Sequence, residues 1–413
     1  MKKKLLIFAV AGLALASCSS DETTASLATS GANEVSFRPL NTGVTRAADA
    51  SFNATSGTAQ FKVTAFKNGE DVTSATPYFS EVEFKGNGTS SWVSDVKYYW
   101  PNTYNLDFYA WAPASYTPSS YSHTGFLIEP GTTIGSQPDF VYAVTRNWGK
   151  ASGAYGSGAN GVTINFRHAE SKVVIQLKND NNDLKITVGN VAINNLYGSG
   201  TFTWNGVTDG SNPVAAETAT TNGKYTSGTL TYLNGTWNTG AATQTTDYSV
   251  AMGTDEITTG IYRNVFSGTA EARNLTSTAS GYEMILIPQT VNVQTTYSGT
   301  TAADATTHLG GSSFDGTYIS AQIKIQQKSN DEYIVGSADT YITAMWPLTS
   351  AGSPWLPGHK YTYTVNLGNG GYYDNNQDTN TNLDPILAGA EIFFATVTVD
   401  AWGNGGDTGV TNP

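Results

Sequence analysis

Many short segments of the chain alternate between hydrophobic and polar residues with a period of two. The alternation is clearest at residues 61–66, 162–166 and 172–177. This period places apolar side chains on one face of a strand and polar side chains on the other. Such strands at short spacing, separated by Gly, Asn and Ser turns, predict β-sandwiches. Further strand-like segments lie at 82–84, 106–111, 184–193, 201–204, 284–287, 318–326, 333–335, 360–367 and 392–399.

Two regions interrupt this pattern. Residues 205–280 are rich in Thr, Gly, Asn and Ala, and residues 369–382 are rich in Gly, Asn and Asp. We expect loops in both, with weak strands hidden in the first because so long a structureless stretch is unusual inside a domain. A domain boundary is predicted at His168, where two strand-like segments meet almost without a turn. The expected domains are an N-terminal sandwich over 47–168 and a C-terminal sandwich over 169–413.

The first residues have the layout of a bacterial export signal. Three lysines precede an apolar stretch over residues 5–15, which is shorter than the roughly 20 residues that a membrane-spanning helix needs. Small residues then lead to Cys18 in an arrangement that resembles a lipobox. We predict a signal peptide over 1–17, lipid attachment at Cys18 and a polar, disordered tether to about Asn33. An ordinary signal peptide that contains a cysteine by chance is the alternative.

The composition favours an all-β protein and limits the partners. Charged residues make up only 13% of the 413 residues, while Gly, Thr, Ser, Asn and Tyr are plentiful, so few segments have the mixture that builds surface helices. The net charge of -12 repels phosphate backbones, and nucleic acid is not an expected partner. Because Cys18 is the only cysteine, no intramolecular disulfide can form. Core burial and backbone pairing must hold the domains together.

Several short motifs follow one another in order along the chain. They are Glu34-Val35-Ser36-Phe37 with Thr45-Arg46-Ala47, Tyr99-Trp100-Pro101 with Leu106-Asp107-Phe108-Tyr109-Ala110, Asp139-Phe140-Val141-Tyr142-Ala143, Asn165-Phe166-Arg167-His168-Ala169 with Ser171-Lys172-Val173, Leu286-Ile287-Pro288-Gln289, Trp355-Leu356-Pro357-Gly358-His359-Lys360-Tyr361-Thr362-Tyr363 and Val397-Thr398-Val399-Asp400-Ala401-Trp402. In this order, over residues 34–402, they resemble the fimbrillin family, the subunits of type V pili in Bacteroidota.

The resemblance implies two tandem transthyretin-like β-sandwich domains and a route of assembly. The precursor would pass through the periplasm as a lipoprotein and reach the outer membrane surface. An extracellular arginine-specific or trypsin-like protease would then cut after an arginine, release the first strand and leave a hydrophobic groove. A strand from the C-terminal region of another subunit would fill that groove. The product would be an adhesive extracellular pilus, built from copies of the chain alone or with tip and anchor subunits.

Two residues of the motif at 34–37 suit the role of the released strand. Val35 and Phe37 lie on one face and could plug the core of the first domain until they are removed. Pro39 has no N–H group to give to a ladder, so the plug is expected to end there.

The predicted processing site is Arg46, followed by Ala47, in a run of small residues that a protease can enter. Arg38 is the less suitable arginine because Pro39 follows it. Cleavage after Arg46 would make residues 18–46 a lipidated propeptide that carries the first strand. A solvated loop arginine with no role in processing is the alternative.

The C-terminal region offers a candidate donor strand. Phe393, Ala395, Val397 and Val399 form an apolar face, and bulky residues lie on the opposite face as well. A strand that is apolar on both faces suits a donor, which must be covered on both. The same segment could be the closing strand of the chain's own second sandwich. Arg46 argues against an anchor subunit, and the two-sided strand favours a shaft subunit.

No constellation of catalytic or metal-binding residues is evident. The four histidines lack metal-ligand spacing, residues 374–378 lack the central Gly and final Glu of a calcium loop, and nothing resembles a nucleophile elbow. Neither an enzyme nor a metal or cofactor is therefore expected. For the aromatic cluster at 98–111 we favour core packing over sugar stacking. Two alternatives stay open: a monomeric surface glycan-binding lipoprotein, and a secreted glycosidase, which needs two suitably spaced carboxylates.

Overall fold

The structure of the protein is a computed structural model. It describes residues 34–40, 60–72, 74–87, 92–115, 121–122, 125–134, 136–149, 161–203, 236–239, 244–251, 265–274, 283–291, 316–348, 354–374, 383–387 and 396–401. Strands dominate these ranges, and within them the one helical segment is a 3-10 turn at Leu367–Asn369.

The strands, in chain order, are β1 (Phe37–Leu40), β2 (Gln60–Lys67), β3 (Phe79–Gly86), β4 (Trp92–Val93), β5 (Leu106–Ala112), β6 (Tyr121–Ser122), β7 (Gly125–Ile128), β8 (Val141–Trp148), β9 (Val162–Asn165), β10 (Arg167–His168), β11 (Ser171–Asn179), β12 (Leu184–Leu196), β13 (Gly200–Thr203), β14 (Thr236–Asn238), β15 (Thr246–Ala251), β16 (Val265–Phe266), β17 (Thr269–Asn274), β18 (Met284–Leu286), β19 (Tyr318–Gln327), β20 (Tyr333–Val335), β21 (Ile342–Pro347), β22 (His359–Asn366), β23 (Tyr372–Asp374), β24 (Leu383–Pro385) and β25 (Thr396–Ala401).

A six-stranded antiparallel sheet, ordered β10-β8-β5-β2-β3-β4, organises the first half of the molecule. Its central strand β5 is buried along its whole length. On one face, Phe108 and Ala110 pack into a first core with the two-stranded sheet of β1 and β9. On the other face, Tyr109 and Trp111 pack into a second core. Alternate residues of one strand therefore serve two cores, as the pleat requires.

A four-stranded sheet, ordered β14-β13-β7-β6, covers the second core. Strands β6 and β7 precede His168 in the chain, whereas β13 and β14 follow it. Phe126 of β7 lies opposite Phe202 of β13, and the Trp237 indole of β14 donates to the Ala169 carbonyl at 2.7 Å. This sheet therefore joins the two halves of the chain at the point where one passes into the other.

Two sheets packed face to face form the second half. One contains β17, β11, β22 and β25 in that order, with β18 also paired to β11. The other runs β15-β12-β19-β21-β23-β24, with β16 on β12 and β20 on β19. Apolar side chains of β11 and β22, such as Ile175 and Tyr363, lie in a third core with Val188 of β12 and Ile323 of β19. This arrangement is a β-sandwich.

The all-β prediction is confirmed. Strand β12 has a bulge around Gly189, seen as a register shift between Val188 and Val191 against β19. The region 205–280, where weak strands were expected, contains β14, β15, β16 and β17. Trp100, Phe108, Tyr109 and Trp111 of the aromatic cluster are buried, as core packing requires.

Strands β8 and β21 are missing from the sequence-based prediction. Both are buried over most of their length, on both faces, and two-sided burial removes the alternation by which a strand is recognised. A further difference is β23, which forms inside the expected loop over 369–382.

The transition between the two halves is short. Strand β10 ends at His168 in the six-stranded sheet, and β11 begins at Ser171 in the second sandwich. The limits of the two domains stay a prediction. Among the residues described, no helix is long and apolar enough to cross a membrane. In the same ranges, no group of three or more His, Cys, Asp and Glu side chains could hold a metal ion.

Candidate functional site

The first strand, residues 34–40 with β1 at its end, lies in a groove of the first half and is bonded on both of its edges. On one edge it pairs in parallel with β9, with Phe37 opposite Val162, and the Val162 N–H donates to the Ser36 carbonyl at 2.7 Å. On the other edge the Val35 N–H donates to the Tyr98 carbonyl at 2.7 Å. We call the space between β9 and residues 98–99 the first-strand groove.

The side chains of the first strand fill the first core. Val35 is 3% exposed and Phe37 is 4% exposed. The Phe37 ring lies edge-on to three other rings, with centroid distances of 4.7 Å to Phe84, 5.2 Å to Phe108 and 6.1 Å to Phe61. Edge-on packing brings the positive rim of one ring to the negative face of another. The strand is therefore an integral part of the core.

Val35 and Phe37 contribute to the stability of the first half as buried core side chains do. Burial of a Val or Phe side chain contributes about 1.5–3 kcal/mol, and an edge-on ring pair adds about 0.5–1.5 kcal/mol. Without Val35 and Phe37 the groove would expose apolar walls and leave the Tyr98 carbonyl and the Val162 N–H without their present partners. An empty groove would therefore be a template for another extended segment.

Pro39 lies inside β1, which continues to Leu40, so the expectation that the strand ends at Pro39 is wrong. The reason lies in the alternation of the backbone. The Ser36 carbonyl accepts from β9, whereas the Val35 N–H donates to Tyr98 on the opposite edge. Backbone groups of successive residues in a strand point to alternate edges, so those of residues 35, 37 and 39 point away from β9. The missing N–H of Pro39 therefore costs no hydrogen bond in the β1–β9 ladder, and proline is tolerated on such an edge.

Gly161 allows the close approach of the first strand. Its φ is +66°, and a Cβ placed on it would lie 2.9 Å from the Ser36 carbonyl carbon and oxygen and 3.0 Å from the Phe37 carbonyl carbon. Both the left-handed backbone and the lack of a side chain are needed at this position. Gly161 precedes β9 directly, so it sets how near β1 can lie.

An ion pair lies where the first strand enters the groove. The Lys97 ammonium is 2.8 Å from the Glu34 carboxylate, and Glu34 also forms a bridge with Tyr99. The hydrogen bond and the charge of Glu34 raise the pKa of Lys97. Because both side chains reach solvent, this pair adds little to stability.

The candidate donor residues lie partly in the second sandwich. Val397 and Val399 belong to β25, which pairs with β22 at the edge of its sheet. Both are half-buried against the third core, and no described strand pairs with the outer edge of β25. The structure thus places these two residues in the closing strand of the chain's own sandwich.

Five residues predicted for processing and assembly lie outside the described residues. They are Cys18, Arg46, Ala47, Phe393 and Ala395. The sequence pattern predicted that Val35 and Phe37 could fill the core of the first domain, and the structure buries both of them in the first core. It missed Gly161, β9 as the partner strand and the Tyr98 carbonyl. The signal for Gly161 was the glycine-rich stretch that ends directly before Val162.

A comparison with protein families gives a match to the fimbrillin-like family over residues 45–255. This match covers half of the chain. The chain belongs to the fimbrillin-like family. For this fimbrillin-like protein, family membership supports a pilin-like role in adhesion, which is the role of a structural protein rather than an enzyme. It also indicates assembly with other subunits at the cell surface.

Several solved structures resemble this fimbrillin-like protein. A candidate cell adhesion protein of Bacteroides uniformis is 14% identical, with 89% of this chain and 99% of that chain covered and a TM-score of 0.41. One from Parabacteroides distasonis is 10% identical, covers 92% and 99%, and has a TM-score of 0.42. A fimbrial protein of Bacteroides ovatus is 11% identical, covers 81% and 49%, and has a TM-score of 0.30. No curated protein matches the chain.

Proposed function

We propose that this fimbrillin-like protein is a structural shaft subunit of a type V pilus, polymerised by donor-strand exchange. The precursor is exported through the periplasm as a lipoprotein, held at the outer membrane through lipid on Cys18, and cut after Arg46. The observation that carries the proposal is the position of Phe37, which fills the first core from a strand that lies N-terminal to Arg46.

Cleavage after Arg46 changes how the first strand is held. In the precursor β1 is part of the same chain as its groove, so its effective concentration at the groove is high. After the cut only two edges of hydrogen bonds and the burial of Val35 and Phe37 retain it. It can then exchange with a strand from another subunit that fills the same pockets and pairs with the same backbone groups.

The proposed donor is the segment that ends in β25, with Phe393, Ala395, Val397 and Val399 as its apolar face. Strand β25 lies at a sheet edge, and among the strands that the structure describes it pairs with β22 alone. Its valines are half-buried rather than fully buried. A strand held in this way leaves its sandwich at lower cost than a central strand such as β11.

Trypsin treatment of the purified precursor tests the proposal. We expect a new N-terminus at Ala47, followed by a ladder of multimers that resists SDS. The variant Arg46→Ala should stay uncut and monomeric, whereas the matched variant Thr45→Ala should behave like the wild type. Multimers formed by Arg46→Ala at the wild-type rate would refute the processing step.

The variant Arg46→Lys identifies the class of protease. Trypsin cleaves after both lysine and arginine, so this variant should assemble after trypsin treatment. On cells that use an arginine-specific protease it should remain an uncut lipoprotein at the outer membrane. Wild-type fibres from Arg46→Lys on such cells would contradict that specificity.

A further inference from the structure

A polar cavity of 310 Å³ lies where the two halves of the chain meet. We call it the junction cavity. Its walls come from Glu129, Gly131 and Thr132, which follow β7, from residues 197–199, which link β12 to β13, and from Thr245, Thr246 and Tyr248 at the start of β15. Cavities at the junction of two units are frequent ligand sites, and small-molecule sites span about 300–1,000 Å³. This volume therefore suits one small ring rather than a long chain.

The chemistry of the walls is neutral and rich in hydroxyl groups. Six of the nine lining residues are Ser, Thr or Tyr, two are Gly, and Glu129 is the only charged one. Since none of these nine is Lys, Arg or His, the walls offer no cation to a phosphate or carboxylate. Hydroxyl groups both donate and accept hydrogen bonds, which matches a ligand that carries several hydroxyl groups of its own.

Tyr248, one of the residues behind the cavity wall, carries a buried polar group without a partner among the described residues. The Tyr248 side chain is 0% exposed and lies in the third core, and its hydroxyl has no hydrogen-bond partner among the described residues. Burial raises the pKa of this hydroxyl to about 12, so it stays protonated at neutral pH. A buried hydroxyl without a partner is costly, and because this one is closed to solvent, it lies behind the cavity wall rather than in the cavity.

The lack of a side chain at Gly198 lets two walls of the cavity lie close together. A Cβ placed on Gly198 would overlap the Thr246 side chain, so the two walls approach closely where residue 198 has no side chain. At the mouth, Glu129 and Thr245 are exposed, which opens the cavity to solvent. Tyr197 also lines the cavity and packs against the second core.

We propose that the junction cavity binds a single ring of a neutral sugar, such as the end of a host or bacterial glycan. The Thr246 and Ser199 hydroxyls would line the ring, and the Glu129 carboxylate would accept from hydroxyls at the mouth. This binding site goes beyond the proposed polymerisation and does not depend on it, because it lies away from the first-strand groove.

Saturation-transfer NMR on the uncut full chain tests the site. The probes are the methyl glycosides of galactose, glucose, mannose, fucose and N-acetylglucosamine, with sialic acid as an anionic probe. We expect saturable transfer to at least one neutral sugar and none to sialic acid. The absence of transfer to every neutral sugar, or equal transfer to sialic acid, would overturn the proposal.

Two variants keep the test specific. Thr246→Val removes the hydroxyl of a half-buried wall residue and keeps the shape of its side chain, so sugar affinity should fall about tenfold with the lost hydrogen bond. The control Thr343→Val makes the same change at an exposed residue of β21 and should leave affinity unchanged. Equal affinity of Thr246→Val and Thr343→Val for the bound sugar would overturn the proposal.

Discussion

Replacement of Gly161 by alanine should weaken the packing of the first strand in its groove, although Gly161 is not part of that strand. A Cβ on residue 161 would lie 2.9 Å from the Ser36 carbonyl carbon and oxygen, and backbone cannot move aside as a flexible side chain can. The new methyl group therefore pushes β1 away from β9. The φ of +66° adds a second cost, because the left-handed conformation of a residue with a Cβ lowers stability by about 1–2 kcal/mol.

Gly69 provides the matched control for this change. It has a φ of +82°, and a Cβ placed on it meets nothing within 4 Å. Gly69→Ala should therefore cost the left-handed strain alone, about 1–2 kcal/mol. Gly161→Ala should cost the same strain plus the displacement of β1. If the strand leaves its groove, burial of Val35 and Phe37 is lost, which is about 3–6 kcal/mol at 1.5–3 kcal/mol per side chain.

Hydrogen exchange of single amides measures this difference directly. The Val35 and Val162 amides bond across the two edges of β1, so both report its opening. A loss of about 3 kcal/mol corresponds to a more than hundredfold rise in exchange rate. We expect this rise in Gly161→Ala but not in Gly69→Ala. Equal protection of both amides in the two variants would refute the role given to Gly161.

Three further predictions concern stability. Phe37→Ala should lower the free energy of unfolding of the first half by about 3–5 kcal/mol, whereas Val93→Ala, at a residue 39% exposed, should change it by less than about 0.5 kcal/mol; denaturant titration followed by tryptophan fluorescence compares them. Tyr248→Phe should raise the free energy of unfolding by about 1 kcal/mol in the absence of sugar, because it removes a buried hydroxyl without a partner, and a loss of stability in thermal scans would contradict this. Burial raises the pKa of Tyr248 and Tyr361 to about 12 from the ordinary value of 10.0. Their contribution to the free energy of unfolding is therefore constant below pH 10.0 and falls as the pH rises toward 12, by about 2–3 kcal/mol per tyrosine. Unfolding midpoints that stay level through this range would disprove the last prediction.

The sequence indicated the all-β class and many of the strands because many of them, unlike the fully buried β5, are covered on one face and partly exposed on the other. Strand β12 is an example, with Ile186 and Val188 buried and Lys185 and Thr187 half-buried. It failed for β8, whose two faces serve two different cores. Its first half, Val141–Ala143, is buried and apolar on both faces, and periodicity cannot distinguish it from any other apolar run.

The groove was only partly predictable. Alternation alone placed Val35 and Phe37 on one face, and the structure buries both. Which strand receives them depends on a pairing more than a hundred residues away in sequence, between β1 and β9. Sequence patterns carry no signal for such a pairing. For Pro39 the general rule against proline failed because its nitrogen points away from β9, a fact that only the register shows.

The junction cavity was not predictable from the sequence. Residues 129–132, 197–199 and 245–248 lie far apart in the chain, and none belongs to a recognised motif. They meet because β7 pairs with β13 and β15 pairs with β12. Sugar stacking had been considered for the aromatic cluster at 98–111, whereas the polar cavity lies in a different part of the molecule.

The N-terminal sequence of the protein sheared from cells tests the central proposal most directly. The account predicts that the subunits of the fibres begin at Ala47, without lipid and without Phe37, since the first strand must leave before another strand can take its groove. Fibres whose subunits begin at lipidated Cys18 and retain β1 would contradict the account.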